Sequence, residues 1–170
     1  MKRVFCALCA VFLLLTACGR DAEPSAQTAS SGSVENTCTV TVDCTALLAH
    51  PDRLNADKAA FVPESGYILR DAAAAFSDGE TVFDVLCRVC ADNVCTDNCR
   101  FCRAQGVQLE SAYSPQFGTY YVEDIHQIYE KDGGGTSGWT YRVNGELPNV
   151  GASAYTVSPG DRIEWIYTMD

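Results

Sequence analysis

Basic residues, histidine and long apolar runs are all scarce in this chain. Lys and Arg number 12 against 22 Asp and Glu, a formal net charge of -10. A surface this acidic repels phosphate backbones and anionic headgroups, which argues against nucleic-acid binding and against membrane contact by a folded domain. The only two histidines, His50 and His126, stand far apart and in no metal-ligand spacing, so both read as surface or rim residues. No serine-hydrolase elbow, phosphate loop or dinucleotide fingerprint is present. The carboxylates are plentiful but scattered. Asp92, Asp97, Glu123, Asp124, Glu130, Asp132, Asp161 and Glu164 read as a solvated acidic face, and no catalytic pair stands out among them. The expectation is a protein that is not an enzyme.

The one extended apolar run, residues 4–17, is too short for a transmembrane helix, which needs roughly 20 residues. Preceded by Lys2 and Arg3, it fits the apolar region of an export signal. It ends in Leu15-Thr16-Ala17-Cys18, an order that resembles a lipobox. By that resemblance residues 1–17 are a lipoprotein signal peptide, and Cys18 takes a diacylglyceryl thioether and becomes the mature N-terminus. Two acyl chains anchor stably where one does not, so the expected partner at this end is the lipid bilayer and the expected location is extracytoplasmic, anchored to the cell membrane. Loss of the two basic residues moves the formal charge from -10 to -12. Residues 18–36 then form the lipidated Cys18 and a tether with no aromatic residue, unable to bury enough surface to order itself. Such a tether spans about 23 Å.

Residues 37–170 are enough for one core. Cys38–Cys44 alternates with period two and reads as a strand. Residues 47–60 read as loop with a helical turn, and residues 66–70 and 73–76 as strand pieces. Val82, Phe83, Val85, Leu86, Val89 and Cys90 recur at helical spacing, with Thr81 as N-cap and Asp84 at the capping-box position. Residues 107–111 and 120–129 read as strands, the second long and irregular. Trp139, Tyr141 and Val143 share one strand face, and Asn144-Gly145 is a strong hairpin signal. A short strand at 154–157, a Pro-Gly turn and a closing strand with Ile163, Trp165 and Tyr167 on one face complete the chain. The expected class is α+β, one helix packed on a curled mixed β-sheet.

Four stretches carry a family resemblance: Gly138-Trp-Thr-Tyr-Arg-Val-Asn-Gly145, Val157-Ser-Pro-Gly-Asp-Arg-Ile-Glu-Trp-Ile-Tyr167, Glu80–Leu86 and Tyr121–Ile125. Residues 37–170 thereby resemble the transcobalamin-like C-terminal domain. The resemblance implies a β-grasp-like fold and, by analogy with transcobalamin and intrinsic factor, contact with one face of a cobalamin. The other face there is covered by a large helical barrel, for which this sequence has no length, so the implied role is a small-ligand module acting with a partner. The candidate ligand residues are Trp139, Tyr141, Asn144 and Tyr120. Against that, Trp139, Tyr141, Trp165 and Tyr167 sit at core-type positions, and Asn144-Gly145 suits a turn. Tyr113, Phe117, Tyr120 and Tyr121 surround a Pro-Gln-Phe-Gly loop and could line a ligand or partner patch. Family members carry cysteines at the positions of Gly133 and Ala152, which this chain lacks, as expected if a disulfide was lost as a pair.

Beyond the signal and Cys18, seven cysteines remain: Cys38, Cys44, Cys87, Cys90, Cys95, Cys99 and Cys102. Cys38 and Cys44 on one extended strand stand about 20 Å apart and cannot pair, whereas Cys44 with Cys90 is feasible. Cys87-x-x-Cys90 and Cys99-x-x-Cys102 resemble a four-thiolate zinc spacing. Disulfides, a zinc or iron–sulfur centre, and redox-active thiols all remain open, with disulfides favoured outside the membrane. No cofactor is certain from the sequence; cobalamin is implied by the resemblance, and zinc is the weaker candidate. Two functions stand against each other: an anchored small-ligand module, or a surface protein–protein interaction or adhesion module without a small-molecule ligand.

Overall fold

The computed structural model describes residues 36–93 and 106–169. The signal, Cys18 and tether readings, together with Cys95, Cys99 and Cys102, fall outside the described residues.

β1 (Asn36–Asp43) buries Cys38, Val40 and Val42 on one face, as its alternation requires. It starts two residues earlier than expected, at Asn36, whose side chain donates to Asp78 at 2.7 Å, and ends one residue earlier, at Asp43. A short helix α1 (Thr45–Ala49) and a 3-10 turn at Ala59–Phe61 lead to β2 (Tyr67–Phe76). Sequence suggests two pieces here; β2 is one strand interrupted by a bulge. Asp71 sits at φ 48, and its amide donates to Thr41 Oγ1 at 3.1 Å where the register against β1 shifts.

α2 (Val82–Asp92) turns its apolar stripe inward. Its start is fixed by a reciprocal cap: Thr81 Oγ1 accepts from the Asp84 amide at 3.3 Å, and Asp84 Oδ2 accepts from the Thr81 amide at 2.9 Å. The Thr81 hydroxyl, donating to the same carboxylate, is the main reason Asp84 titrates below the usual carboxylate range. At the other end the Asn93 amide donates to Val89 O and the Val107 amide to Cys90 O, at 3.1 and 2.7 Å. Gly106 lies so close that a Cβ there would stand 2.6 Å from Cys90 O, at a φ of +78.

β3 (Leu109–Ser114), β4 (Thr119–Ile125) and β5 (Ile128–Tyr129) form an antiparallel sheet in that order. The long irregular strand expected over 120–129 is a hairpin. His126 and Gln127, at φ 62 and 66, make a two-residue turn that pairs Ile125 with Ile128. β6 (Gly138–Val143) and β7 (Arg162–Thr168) complete the main sheet, ordered β2-β1-β7-β6. The two central strands β1 and β7 run parallel, and each is flanked by an antiparallel hairpin mate. That is β-grasp topology: two β-hairpins with a helix between them and their first and last strands side by side. The fold is α+β with a curled, open mixed sheet and a smaller antiparallel one. The strand expected at 154–157 is reduced to one bridge, Thr81 with Thr156.

Val40 and Val42 pair with Ile163 and Trp165, and Tyr141 and Trp139 with Trp165 and Tyr167, so the core is built on one sheet face. The polar tips of its aromatics hold the connecting loops. Tyr167 donates to Tyr129 O at 2.8 Å and accepts from the Gly133 amide at 3.0 Å. Trp139 Nε1 donates to Ile128 O at 2.8 Å, and Tyr141 to Val150 O at 2.7 Å. Among the described residues no helix is long and apolar enough to cross a membrane.

Candidate functional site: an aromatic groove

The β3–β4 hairpin and the 150–153 loop face each other across the β6–β7 end of the sheet, leaving an open groove of about 520 Å³. Its floor is Trp139, Tyr141 and Trp165; its rim is Tyr113, Phe117, Tyr120 and Tyr121. The floor is buried by the same alternation that builds the core. The rim is exposed, with Phe117 74% and Tyr113 55% accessible at the hairpin tip.

The walls are tied together. Ser153 Oγ lies 2.8 Å from Thr119 Oγ1 and accepts from the Tyr120 amide at 3.1 Å. Gly151 permits the approach, since a Cβ there would fall 2.1 Å from Thr119 Oγ1. Tyr120 stacks on Phe83 of α2 with ring centroids 4.7 Å apart and planes parallel within 1°, and Tyr113 meets Tyr120 edge-on at 5.4 Å. Tyr121 donates to Glu130 at 2.7 Å; burial, then that bond, push its hydroxyl up to about 12. Tyr113, Tyr120 and Tyr121 each have a partner at the rim, while Phe117 stands exposed at the hairpin tip.

The floor contains an anomaly. Trp165 is 3% exposed, and its Nε1 has no hydrogen-bond partner among the described residues. A buried donor without a partner costs about 1–3 kcal/mol. Nothing in the sequence separates this indole from Trp139, which is satisfied.

Of the residues picked out from sequence, Trp139, Tyr141 and Tyr120 come together here, and the four off-core aromatics form the rim. Asn144 does not line the groove. At φ 54 it makes the turn with Gly145, donates to Asp161 Oδ1 at 2.8 Å and accepts from the Arg162 amide at 3.0 Å, fastening β6 to the start of β7.

The cysteines lie elsewhere. Cys38 and Cys90 are buried thiols, Cys87 is an exposed one, and Cys44 is buried. The feasible pairing of Cys44 with Cys90 is not formed, because Cys90 on the inner face of α2 carries a thiol. Burial pushes Cys90 up to about 12, with Cys87 and Asp124 adding to it; burial raises Cys87 and Cys38 as well. None of these three is the activated thiolate that redox catalysis needs. Among the described residues no group of three or more His, Cys, Asp or Glu side chains could hold a metal ion. Cys99 and Cys102, half of the suggested zinc set, fall outside them.

Two readings are corrected. His126 is not a rim residue: it is 2% exposed, at the β4–β5 turn. Asp124, Asp132 and Asp161 are not solvated, for all three are buried. Asp132 accepts from the Tyr129 amide at 2.8 Å and lies 3.5 Å from Lys58 Nζ, and Asp161 braces the Ser158 turn at 2.8 Å. Among the described residues neither Asp124 carboxylate oxygen has a hydrogen-bond partner of good geometry, and the Gln127 amide favours its charged form only weakly.

Residues 106–169, from the return of the chain onto α2 to the closing strand, match the family described as a domain of unknown function, DUF4430. No curated protein matches the chain. Among solved structures the chain is similar to a protein of Ruminococcus gnavus ATCC 29149, described as a suspected metal-binding protein and known from a 1.30 Å crystal structure, at 17% identity and a TM-score of 0.43, over 80% of this chain and 99% of that one.

Proposed function

We propose that this chain is an extracytoplasmic lipoprotein, anchored through Cys18, whose β-grasp-like domain binds a small flat ligand in the aromatic groove without transforming it. The observation that carries this reading is the groove itself: aromatic rings on floor and rim, open to solvent, in a chain that is strongly acidic. Ligand sites are concave and mostly apolar, with few polar groups, and 520 Å³ lies within their ordinary range. The resemblance to transcobalamin-like domains nominates a corrinoid. The residues present suit the flat face of one, since aromatic side chains stack on planar ligands. Covering its second face would fall to a partner protein.

The test is titration of the full chain with cobinamide and with cyanocobalamin, read by tryptophan fluorescence and by the corrinoid absorbance bands. Saturable binding weakened at least tenfold by Tyr113→Ala or Tyr120→Ala supports a corrinoid. No binding of either corrinoid counts against the small-ligand reading and favours the docking reading that follows.

A second reading has its own support. Phe117 at the tip of the β3–β4 hairpin is more exposed than a ligand site needs, as expected of an anchor side chain docking into another surface protein. Cross-linking at position 117 on intact cells separates the two, because a small-ligand module gives no discrete protein adduct there.

A further inference from the structure

The groove is aromatic and carries no charge of its own: none of its lining residues is acidic or basic. At its rim Phe117 and Tyr113 are more than half accessible, and Tyr120 and Tyr121 are exposed, so ring surface is left open to an entering ligand. The face of an aromatic ring carries partial negative charge. The charged groups at the rim add to it. Glu130 Oε2 accepts from the Tyr121 hydroxyl at 2.7 Å, and the Glu123 carboxylate also acts on that hydroxyl. Opposing them is Lys131, whose Nζ lies 2.8 Å from the other Glu130 oxygen. Two carboxylates against one ammonium leave the Tyr121 side of the rim negative, in a chain of formal net charge -10.

Resting on the groove reading above, we infer that the groove takes a flat organic cation, its charge delocalised or shielded by methyl groups, seated against the aromatic rim. An anion there meets ring faces and carboxylates of its own sign, and no basic side chain lines the groove to offset them. A neutral flat ring gains stacking alone. A cation of the same shape gains the attraction of the ring faces as well. The kind of cation follows from what the groove lacks. A metal ion or a simple ammonium holds its water tightly and gives it up only to carboxylates or several other oxygen ligands, and the lining has no carboxylate. A methylated or delocalised cation is weakly hydrated and gives up little on entering an aromatic site. Charge is then the property by which this groove tells one flat molecule from another.

The probes are N-methylisoquinolinium, a flat delocalised cation; 2-methylnaphthalene, its uncharged counterpart of the same shape; and 2-naphthoate, an anion on the same ring system. Each is titrated into the full chain against a matched blank of nonionic detergent, with cobinamide alongside, and read by tryptophan fluorescence. The cation is expected to bind roughly fivefold or more tightly than the neutral ring, and naphthoate more weakly than either. The N-methyl proton signal of the cation should move upfield on binding, because protons over the face of an aromatic ring are shielded. Phe117→Leu with Tyr113→Leu keeps two exposed apolar side chains and removes both rings; the pair should cut the preference for the cation by roughly half or more. Equal or tighter binding of 2-methylnaphthalene overturns the inference. So does naphthoate binding as tightly as the cation, or a preference for the cation untouched by loss of both rings. Each of these leaves the groove reading standing. Binding of cobinamide with none of the three probes also overturns the inference alone. If neither cobinamide nor any probe binds, the groove reading fails with it.

Discussion

The Tyr129 hydroxyl donates to Glu110 Oε1 at 2.7 Å, reaching from β5 to β3 across the register position of Asp124 on β4. Gln108 donates to the same oxygen at 2.8 Å. Glu110 thus lies beside a carboxylate that has no hydrogen-bond partner of good geometry among the described residues and is 0% exposed. Burial, then the charge of Glu110, push Asp124 up to about 7; Asp132 adds to the rise and Lys58 opposes it.

This sets a pH dependence of stability. The folded state holds the Asp124 proton more tightly than the unfolded chain does. The stabilising contribution is complete below the ordinary carboxylate range and is lost as pH rises through about 7. The melting temperature should therefore fall between pH 5 and 8. Asp124→Asn should flatten that fall and stabilise the protein at pH 8 by on the order of 2 kcal/mol, since each tenfold change in proton affinity is worth about 1.4 kcal/mol and the amide still lacks a partner. Thermal unfolding of both proteins across this pH range decides it; parallel curves would show that Asp124 is charged in the folded state.

The cap of α2 makes a simpler case. Thr81→Ala removes the hydroxyl's side of the reciprocal cap, leaving the Thr81 amide's bond to Asp84, and should cost about 1 kcal/mol, whereas Thr81→Ser should keep most of it. Urea midpoints at an unchanged slope are the measurement, and equal losses for the two variants would show that the hydroxyl is not the source.

Gly151→Ala should affect the groove more than the fold. The new methyl meets Thr119 at 2.1–2.5 Å and must drive the 150–153 loop away from the β3–β4 hairpin. The expected result is a fall of tenfold or more in cobinamide affinity with a melting temperature lowered by only a few degrees. Gly118→Ala alters a glycine of the same hairpin with open space around its Cβ, but at φ +62, and should show the reverse balance: strain without loss of the groove.

Thiol labelling distinguishes the described cysteines. Cys87 is exposed and should react with iodoacetamide in the folded protein, slowly at pH 7 and faster above pH 9 because its thiol is raised. Cys38 and Cys90 should label only on unfolding. Peptide mass spectrometry over a pH series reads this directly, and fast labelling of Cys87 at pH 6 would contradict the raised thiol.

Sequence periodicity carried the architecture where one face of an element is buried. The alternation of β1, β6 and β7 and the apolar stripe of α2 with its Thr81–Asp84 cap appear in the structure much as they read. Where backbone conformation departs from residue preference, the pattern was silent. His126-Gln127 makes a two-residue turn without the Asn-Gly that announces one, so β4 and β5 looked continuous. Asp71 bulges β2 through a hydrogen bond to a neighbouring strand, which no local pattern encodes. Residues 154–157 have strand-like composition but no strand beside them except one bridge. The rim aromatics of the groove were legible as a cluster. Trp165 Nε1 and Asp124 were not, because whether a buried polar group has found a partner is a fact of three dimensions.

The chain steps off α2 at Asn93 and is back on its last turn by Val107, whose amide holds Cys90 O. Both junctions rest on one helix end. Lengthening such a connection costs little, about 0.6 kcal/mol for each doubling. Three cysteines are written into residues 94–105, so a change in their number or spacing leaves the residues that build the core, the cap and the aromatic groove untouched.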